Sequence, residues 1–138
     1  MFFLVNYWAV LLAAVSGMAI GAFWYSPLGF GKSWIKLMGL PETVLTEAKK
    51  KSMGVSYALA FLGQLVMACV FAHLIVWLNL TTLVTGMRLG FWIWLGFIAT
   101  TFMNQVLWEN KSWGLYCLNV AHYLVVMLVM TGILAIWR

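Results

Sequence analysis

The residues of this sequence that could do chemistry are hydroxyls, amides and two histidines set inside long apolar stretches. Thr101, Asn104, Asn119 and His122 are the best-spaced group, because they flank the short turn "ENKS". If the flanking stretches form an antiparallel hairpin, Asn104 lies level with Asn119, and Thr101 lies level with His122. Residues three apart share one face of a helix. We therefore expect these four side chains to form one polar seam between the two helices.

Two roles for this seam remain open. Polar side chains in hydrocarbon are costly and usually face a protein interior or a cavity. The seam could hold the helices together through hydrogen bonds, each worth about 0.6 kcal/mol on average. It could instead bind a small solute, an ion or a lipid head group, with His122 as the ionisable member and Gln64 as a further ligand. His73 lies at another depth, and each histidine alone also fits a hydrogen-bonded structural role.

The sequence lacks the residues that an intramembrane enzyme would need. No acidic residue lies inside an apolar stretch, and no Cys or His spacing matches a metal site. Cys69 and Cys117 are predicted to be unpaired thiols. The "GFGKS" segment resembles a phosphate-binding loop, but Ser26 occupies the position of its first required glycine. We expect no catalytic activity, no cofactor and no metal.

The composition predicts a membrane protein. The chain has 138 residues, of which 65% are hydrophobic and 8% are charged, whereas soluble domains carry about 25% charged residues. Four apolar stretches, at about 3–25, 53–78, 86–108 and 113–137, each exceed the roughly 20 residues that a helix needs to cross a bilayer. The stretches lack the alternation of a β-barrel. We predict one integral membrane domain over residues 1–138, an all-α fold with four transmembrane helices.

The basic residues predict how the chain is threaded. If all four stretches cross, the first and third connections share one side and carry Lys32, Lys36, Lys49, Lys50, Lys51 and Lys111. The positive-inside rule places these lysines in the cytoplasm and both termini, with Arg138, outside. The net charge of +5 is not clustered on a wet face as nucleic-acid binding requires. We expect a multi-pass protein of the cytoplasmic (inner) membrane, with membrane lipids as partners and no nucleic acid.

The segment after the first stretch, "WYSPLGFGK", is the predicted interface motif. Trp24 and Tyr25 are typical anchors at a membrane interface, and Pro27 disfavours helix at Ser26. Over residues 30–38, aromatic and lysine positions recur at helical spacing on different faces. This pattern predicts a short amphipathic helix lying in the membrane surface, followed by a cytoplasmic helix that Pro41 can open.

Glu109, at the inner end of the third stretch, has two interpretations. It could pair with Lys32 or Lys36 and so fix the amphipathic segment against the "ENKS" turn. It could equally be a solvated loop charge, since exposed ion pairs contribute little to stability.

Small residues recur four apart in two of the stretches, at Ala13, Gly17 and Gly21, and again at Gly86 and Gly90. Such spacing lines one helix face and allows close approach of another helix. The neighbouring helix can belong to the same chain, which is the interpretation we favour. It can also belong to a homo-oligomer or to a larger membrane complex.

Three segments carry a resemblance to a known family: "NYWAVLLAAVSGMAIGAFWYSPLGFGKSW", "GFIATTFMNQVLWENKSWGLYCLNVAHYL" and "GILAIW". Over nearly the whole chain the sequence resembles an uncharacterised bacterial membrane family, domain of unknown function 1761. The resemblance implies a four-helix inner-membrane protein and brings no agreed activity. It implies that the characteristic positions of the family are Trp24, Tyr25, Ser26, Pro27, Gly31, Lys32, Asn104, Glu109, Trp113 and Asn119.

Two functional hypotheses follow. The first is a binding or transport module that takes a small solute, ion or lipid head group at the polar seam. The alternative is a non-enzymatic accessory or assembly subunit of a larger membrane complex.

Overall fold

The computed structural model describes residues 4–50 and 53–137, and these residues form helices without any strand. The elements in chain order are α1 (Tyr7–Trp24), α2 (Gly31–Met38), α3 (Glu42–Lys50), α4 (Gly54–Trp77), α5 (Leu83–Ile93), a π-helical segment (Trp94–Ala99), α6 (Met103–Leu107) and α7 (Trp113–Ile136).

Four helical stretches are long and apolar enough to cross a membrane: Tyr7–Trp24, Gly54–Trp77, Leu83–Leu107 and Trp113–Ile136. The predicted all-α membrane fold with four spanning helices is therefore confirmed. The third stretch combines α5, the π-helical segment and α6. Phe3, Lys51 and Arg138 lie outside the described residues, as do the side chains of Lys49 and Lys50.

Polar caps mark where three of the spanning helices begin. The Asn6 side chain accepts hydrogen bonds from the backbone N–H groups of Trp8 and Ala9. Thr82 and Thr85 form a capping box before α5, and the Ser112 hydroxyl accepts from Leu115 N–H before α7. Each cap satisfies N–H groups that have no partner within the helix.

The fourth spanning helix, α7, is the centre of the bundle and packs against α1, α4 and α5. Its last half is largely buried, and around Met130 it meets Ala13 of α1 and Phe71 and Ile75 of α4 in one apolar core. Asn6 Nδ2 donates to the Trp137 carbonyl at 3.5 Å, so the start of α1 and the end of α7 meet at this tightly packed end, which we call the terminal end.

The opposite end of the bundle is less tightly packed. It carries the end of α1, the start of α4 and the connection from α6 to α7, and we call it the lysine end after Lys32, Lys36 and Lys111. At this end α2 packs on α7, with Leu37 against Gly114. Residues 53–60 at the start of α4 are all exposed, so α4 contributes little to the core there.

The glycines of α5 allow this helix to pack closely against α7 of the same chain. A Cβ placed at Gly86 or Gly90 would collide with the backbone or side chain of Thr131 in α7. Ala13 and Gly17 of α1 are likewise buried. The small-residue faces thus serve close packing between helices of one chain, as favoured from the sequence.

Candidate functional site

The predicted seam between the third and fourth spanning helices is wrong in part. Thr101 and Asn104 are exposed, so neither side chain faces α7. Asn119 accepts its hydrogen bond from Tyr25 rather than from Asn104, and His122 faces α1. Depth was predicted well, because Phe102 of the third spanning helix contacts Tyr123 and Gly90 lies against Thr131, both close to the expected level. The error lies in the rotation of the third helix.

The π-helical segment Trp94–Ala99 explains this rotation. A π-helical turn closes i to i+5 and so holds one residue more than an α-helical turn. In an uninterrupted α-helix the face that begins at Gly90 would continue through residues 97, 101 and 104. Here Phe97 is 64% exposed, whereas Ile98, Phe102 and Gln105 turn inward. Each inward position lies one residue later than the regular helix predicts.

Two side-chain hydrogen bonds hold this irregular segment against α7. Trp94 Nε1 donates to the Val120 carbonyl at 2.7 Å, and the Tyr116 hydroxyl donates to the Ala99 carbonyl at 2.6 Å. Within the segment, Thr100 Oγ1 donates back to the Gly96 carbonyl at 2.7 Å. Such back-bonding often bends helices. The π-helical segment is thus fixed in place by hydrogen bonds to Val120 and Tyr116 of α7.

The interface motif joins α1 to α7. The Tyr25 hydroxyl donates to Asn119 Oδ1 at 2.8 Å, one residue beyond the end of α1. Burial, with a smaller contribution from Tyr123, raises the pKa of Tyr25 from 10.0 to about 12. The phenol therefore keeps its proton at neutral pH and remains a donor. The Tyr25 ring also packs edge-on to His122 at 5.1 Å between ring centroids.

The rest of the motif makes a compact turn. Ser26 Oγ donates to the Phe23 carbonyl at 2.6 Å, and Phe30 N–H donates to the Trp24 carbonyl at 2.6 Å. A Cβ at Gly29 would collide with the carbonyls of residues 23 and 24, and one at Gly31 with those of residues 25 and 26. These glycines allow the chain to fold back on the end of α1. Pro27 and Lys32 are exposed.

Of the two interpretations of Glu109, the ion pair is wrong. Glu109 is exposed, and no ion pair joins it to Lys32 or Lys36, both of which are described and exposed. Instead α2 is held by apolar packing of Leu37 on Gly114. This agrees with the solvated-charge interpretation.

A cavity of about 570 Å³ lies between α1, α4 and α7 in the half of the bundle nearer the lysine end. We call it the histidine cavity. The described residues that line it are uncharged: Gly17, Met18, Gly21, Ala22, Tyr25, Ser26, Tyr57, Ala60, Gln64, His122 and Tyr123. Two of the predicted ligand-binding residues, Gln64 and His122, meet in this cavity.

Three polar atoms of these two residues are buried without a protein partner. His122 is only 6% exposed, yet both of its ring nitrogens are buried without a hydrogen bond, and so is Gln64 Oε1. A Cβ at Gly21 would lie 3.3 Å from His122 Nε2, and a Cβ at Gly17 would collide with Gln64 Oε1. The two glycines, one turn apart, therefore make the space in which these polar groups stand.

A second cavity of about 490 Å³ lies beside the first and is lined by residues of α2, α3, the third spanning helix and α7. Tyr25 and Tyr123 line both cavities and separate them. Asn119 lines the second cavity, as does Gln105, whose Oε1 is buried without a partner. Asn119 is thus a structural partner of Tyr25 in the wall between the cavities.

The remaining histidine and the thiols lie apart from this site. His73 Nδ1–H donates to the Cys69 carbonyl at 2.7 Å in the terminal half of α4, in keeping with a structural role. Cys69 and Cys117 are free thiols. Among the described residues no three His, Cys, Asp or Glu side chains come together as metal ligands.

Several lining residues were missed from the sequence. Tyr123 follows His122 directly, and Tyr57 and Ala60 lie two turns and one turn before Gln64, so helical spacing could have suggested them. Gln105 could not be found in this way, because the π-helical segment moves it onto the inner face. The glycines of α1 were recognised as a small face but not as the wall of a cavity.

Comparison with known proteins gives one match. A family model described as a protein of unknown function, DUF1761, matches residues 8–135. No curated protein and no solved structure matches the chain.

Proposed function

This chain belongs to the DUF1761 family of proteins of unknown function, and from its geometry we propose that it is a membrane binding module. Its ligand is a small uncharged molecule or head group that hydrogen-bonds to His122 and Gln64 in the histidine cavity. The proposed site thus lies between α1, α4 and α7, and not at the seam predicted between the third and fourth spanning helices.

The observation that supports this proposal is the unpartnered state of His122. Leaving a buried donor or acceptor unsatisfied costs about 1–3 kcal/mol, and buried polar groups are paired in the great majority of cases. Both ring nitrogens of His122 and the Oε1 atom of Gln64 lack protein partners. A bound molecule would supply the missing hydrogen bonds.

The lining favours binding over catalysis and over transport. Within the described part of the chain no charged side chain lines the histidine cavity, so these residues offer no carboxylate for acid–base chemistry. Transport would require the terminal half to open as well, and Ala13, Phe71, Ile75 and Met130 fill that half. We therefore assign the protein a non-enzymatic role in which the ligand is held rather than passed across.

Retention of a ligand through purification tests the proposal. The wild type and the variant Gly21→Leu would be extracted in a mild detergent, purified, and analysed for small molecules by mass spectrometry of a solvent extract. Leu at position 21 would fill the space beside His122. We expect the wild type to retain a compound that Gly21→Leu loses.

Gly63→Leu is the matched control. Gly63 lies within α4, and a Cβ there meets no atom within 4 Å, so this variant should retain the compound. Circular dichroism would check that both variants keep their helices. Equal amounts of every compound in the wild type and in a folded Gly21→Leu protein would contradict the proposal and favour the accessory-subunit alternative.

A further inference from the structure

We propose that the ligand of the histidine cavity is a neutral amphiphile, with a hydroxyl-bearing head group on an apolar chain that enters from the lipid between α1 and α4. This inference rests on the proposed binding function and adds the chemical class of the ligand and its route. Glycerides and quinols are two sources that share this chemistry.

The hydrogen-bonding atoms specify the head group. Neutral histidine has one N–H donor and one acceptor nitrogen, whereas Gln64 Oε1 can only accept. The ligand must therefore both donate and accept, which a hydroxyl group does and a ketone or ether does not. A charged head group would be buried without a counter-charge among the described residues, because those that line the cavity are uncharged, and that costs far more than burying a paired group.

The depth of the site favours a ligand that arrives through the bilayer. His122 lies nine residues from Trp113, the first residue of α7, which is about 13 Å along the helix axis. Gln64 lies ten residues from the start of α4, about 15 Å along that helix. The hydrocarbon core is about 30 Å thick, so both groups stand well inside it.

The exposed lining residues show where the cavity opens. Ala22 of α1 and Tyr57 and Ala60 of α4 line the cavity and are exposed. They lie on α1 and α4, and two of the three are alanines, whose short side chains leave a gap. Ala60 lies six residues from the start of α4, about 9 Å along the helix, where the space outside the gap holds acyl chains. An apolar chain attached to the head group could leave the cavity through the gap and remain in lipid.

Nitrogen-15 NMR of ring-labelled histidine tests this inference directly. The chain has two histidines, so His73 in the terminal half serves as an internal reference for His122. The protein would be studied at neutral pH in phosphatidylcholine nanodiscs, whose lipids have no hydroxyl head group. The probes are 1-O-decylglycerol and decylhydroquinone, with glycerol, decyl phosphate and the dimethyl ether of 1-O-decylglycerol as comparisons.

We expect 1-O-decylglycerol or decylhydroquinone to shift the His122 resonances while those of His73 stay in place. The probe that shifts them distinguishes a glyceride from a quinol. The dimethyl ether, which cannot donate, decyl phosphate, which is charged, and glycerol, which has no chain, should leave His122 unchanged. Ala60→Leu should abolish the shift by closing the gap, whereas Gly63→Leu on the same helix should preserve it.

Other outcomes would overturn the inference. If glycerol shifts His122 as strongly as 1-O-decylglycerol, the chain is irrelevant, and the cavity binds a ligand of another class while the proposed function stands. If the dimethyl ether or decyl phosphate binds equally well, the assignment of a neutral donor head group is wrong. If neither hydroxyl amphiphile moves His122, the inference fails, and the ligand-retention experiment alone decides the proposed function.

Discussion

Breaking the hydrogen bond between Tyr25 and Asn119 is the sharpest test of how the site is built. This bond ties the end of α1 to α7 and forms part of the wall between the two cavities. Interhelical hydrogen bonds in membrane proteins contribute about 0.6 kcal/mol on average and up to about 1.7. At 2.8 Å, with both partners partly buried, we expect this bond in the upper half of that range.

A double-mutant cycle isolates this contribution. Tyr25→Phe removes the donor, Asn119→Leu removes the acceptor at similar volume, and the double variant closes the cycle. Unfolding would be followed by circular dichroism in mixed micelles of maltoside and dodecyl sulfate. We expect a coupling free energy of about 1–1.7 kcal/mol, equivalent to a roughly 5- to 16-fold change in the unfolding equilibrium constant.

Tyr7→Phe is the control for this cycle. Tyr7 is a half-exposed tyrosine at the start of α1 with no hydrogen bond from its hydroxyl among the described residues. Its effect should add to that of Asn119→Leu without coupling. If Tyr25 and Asn119 couple no more strongly than this control pair, the bond does not hold α1 to α7. Asn119 would then be free to bind a ligand, as the sequence first suggested.

Three further predictions concern packing, pH and orientation. Gly90→Ala should destabilise the protein by about 1–3 kcal/mol in the same unfolding assay, because the new Cβ would lie 2.5 Å from Thr131 Oγ1 and 2.8 Å from the Met127 carbonyl oxygen; unchanged stability would contradict this packing. Folding raises the pKa of Tyr25 from 10.0 to about 12. The difference in unfolding free energy between the wild type and Tyr25→Phe should therefore be constant below pH 10 and fall between pH 10 and 12. Unfolding measured as a function of pH would show this. Lys36→Cys, in a background without the native cysteines, should resist impermeant thiol reagents added outside intact cells, and ready labelling would reverse the proposed orientation.

The architecture could be predicted because its causes are local. Apolar length decides which segments can cross a bilayer, and Asn6, Thr82 and Ser112 have the side chains that begin helices. The break after α1 was also predicted, because Pro27 disfavours helix at Ser26. None of these features depends on how one helix is rotated against another.

The composition of the site could be predicted only in part, because it depends on rotation. The predicted depth of the residues of the third spanning helix relative to those of α7 was correct, as the contact between Phe102 and Tyr123 shows. One extra residue in the π-helical segment then moved Thr101 and Asn104 outward and Gln105 inward. That segment is held by tertiary hydrogen bonds, and no local pattern in the sequence announces it.

The small-residue face of α1 shows how one local pattern serves two purposes. At Ala13 the face meets apolar residues of α4 and α7, and close approach produces a dry core. At Gly17 and Gly21 the same face meets Gln64 and His122, and the missing side chains leave room for polar groups that no protein atom satisfies. The sequence alone cannot separate these outcomes, because the difference lies in the residues that face α1 from other helices. A chain that needed only a stable bundle would place apolar side chains opposite all three positions. The polar pair beside the two glycines is therefore the feature on which the proposed binding function depends.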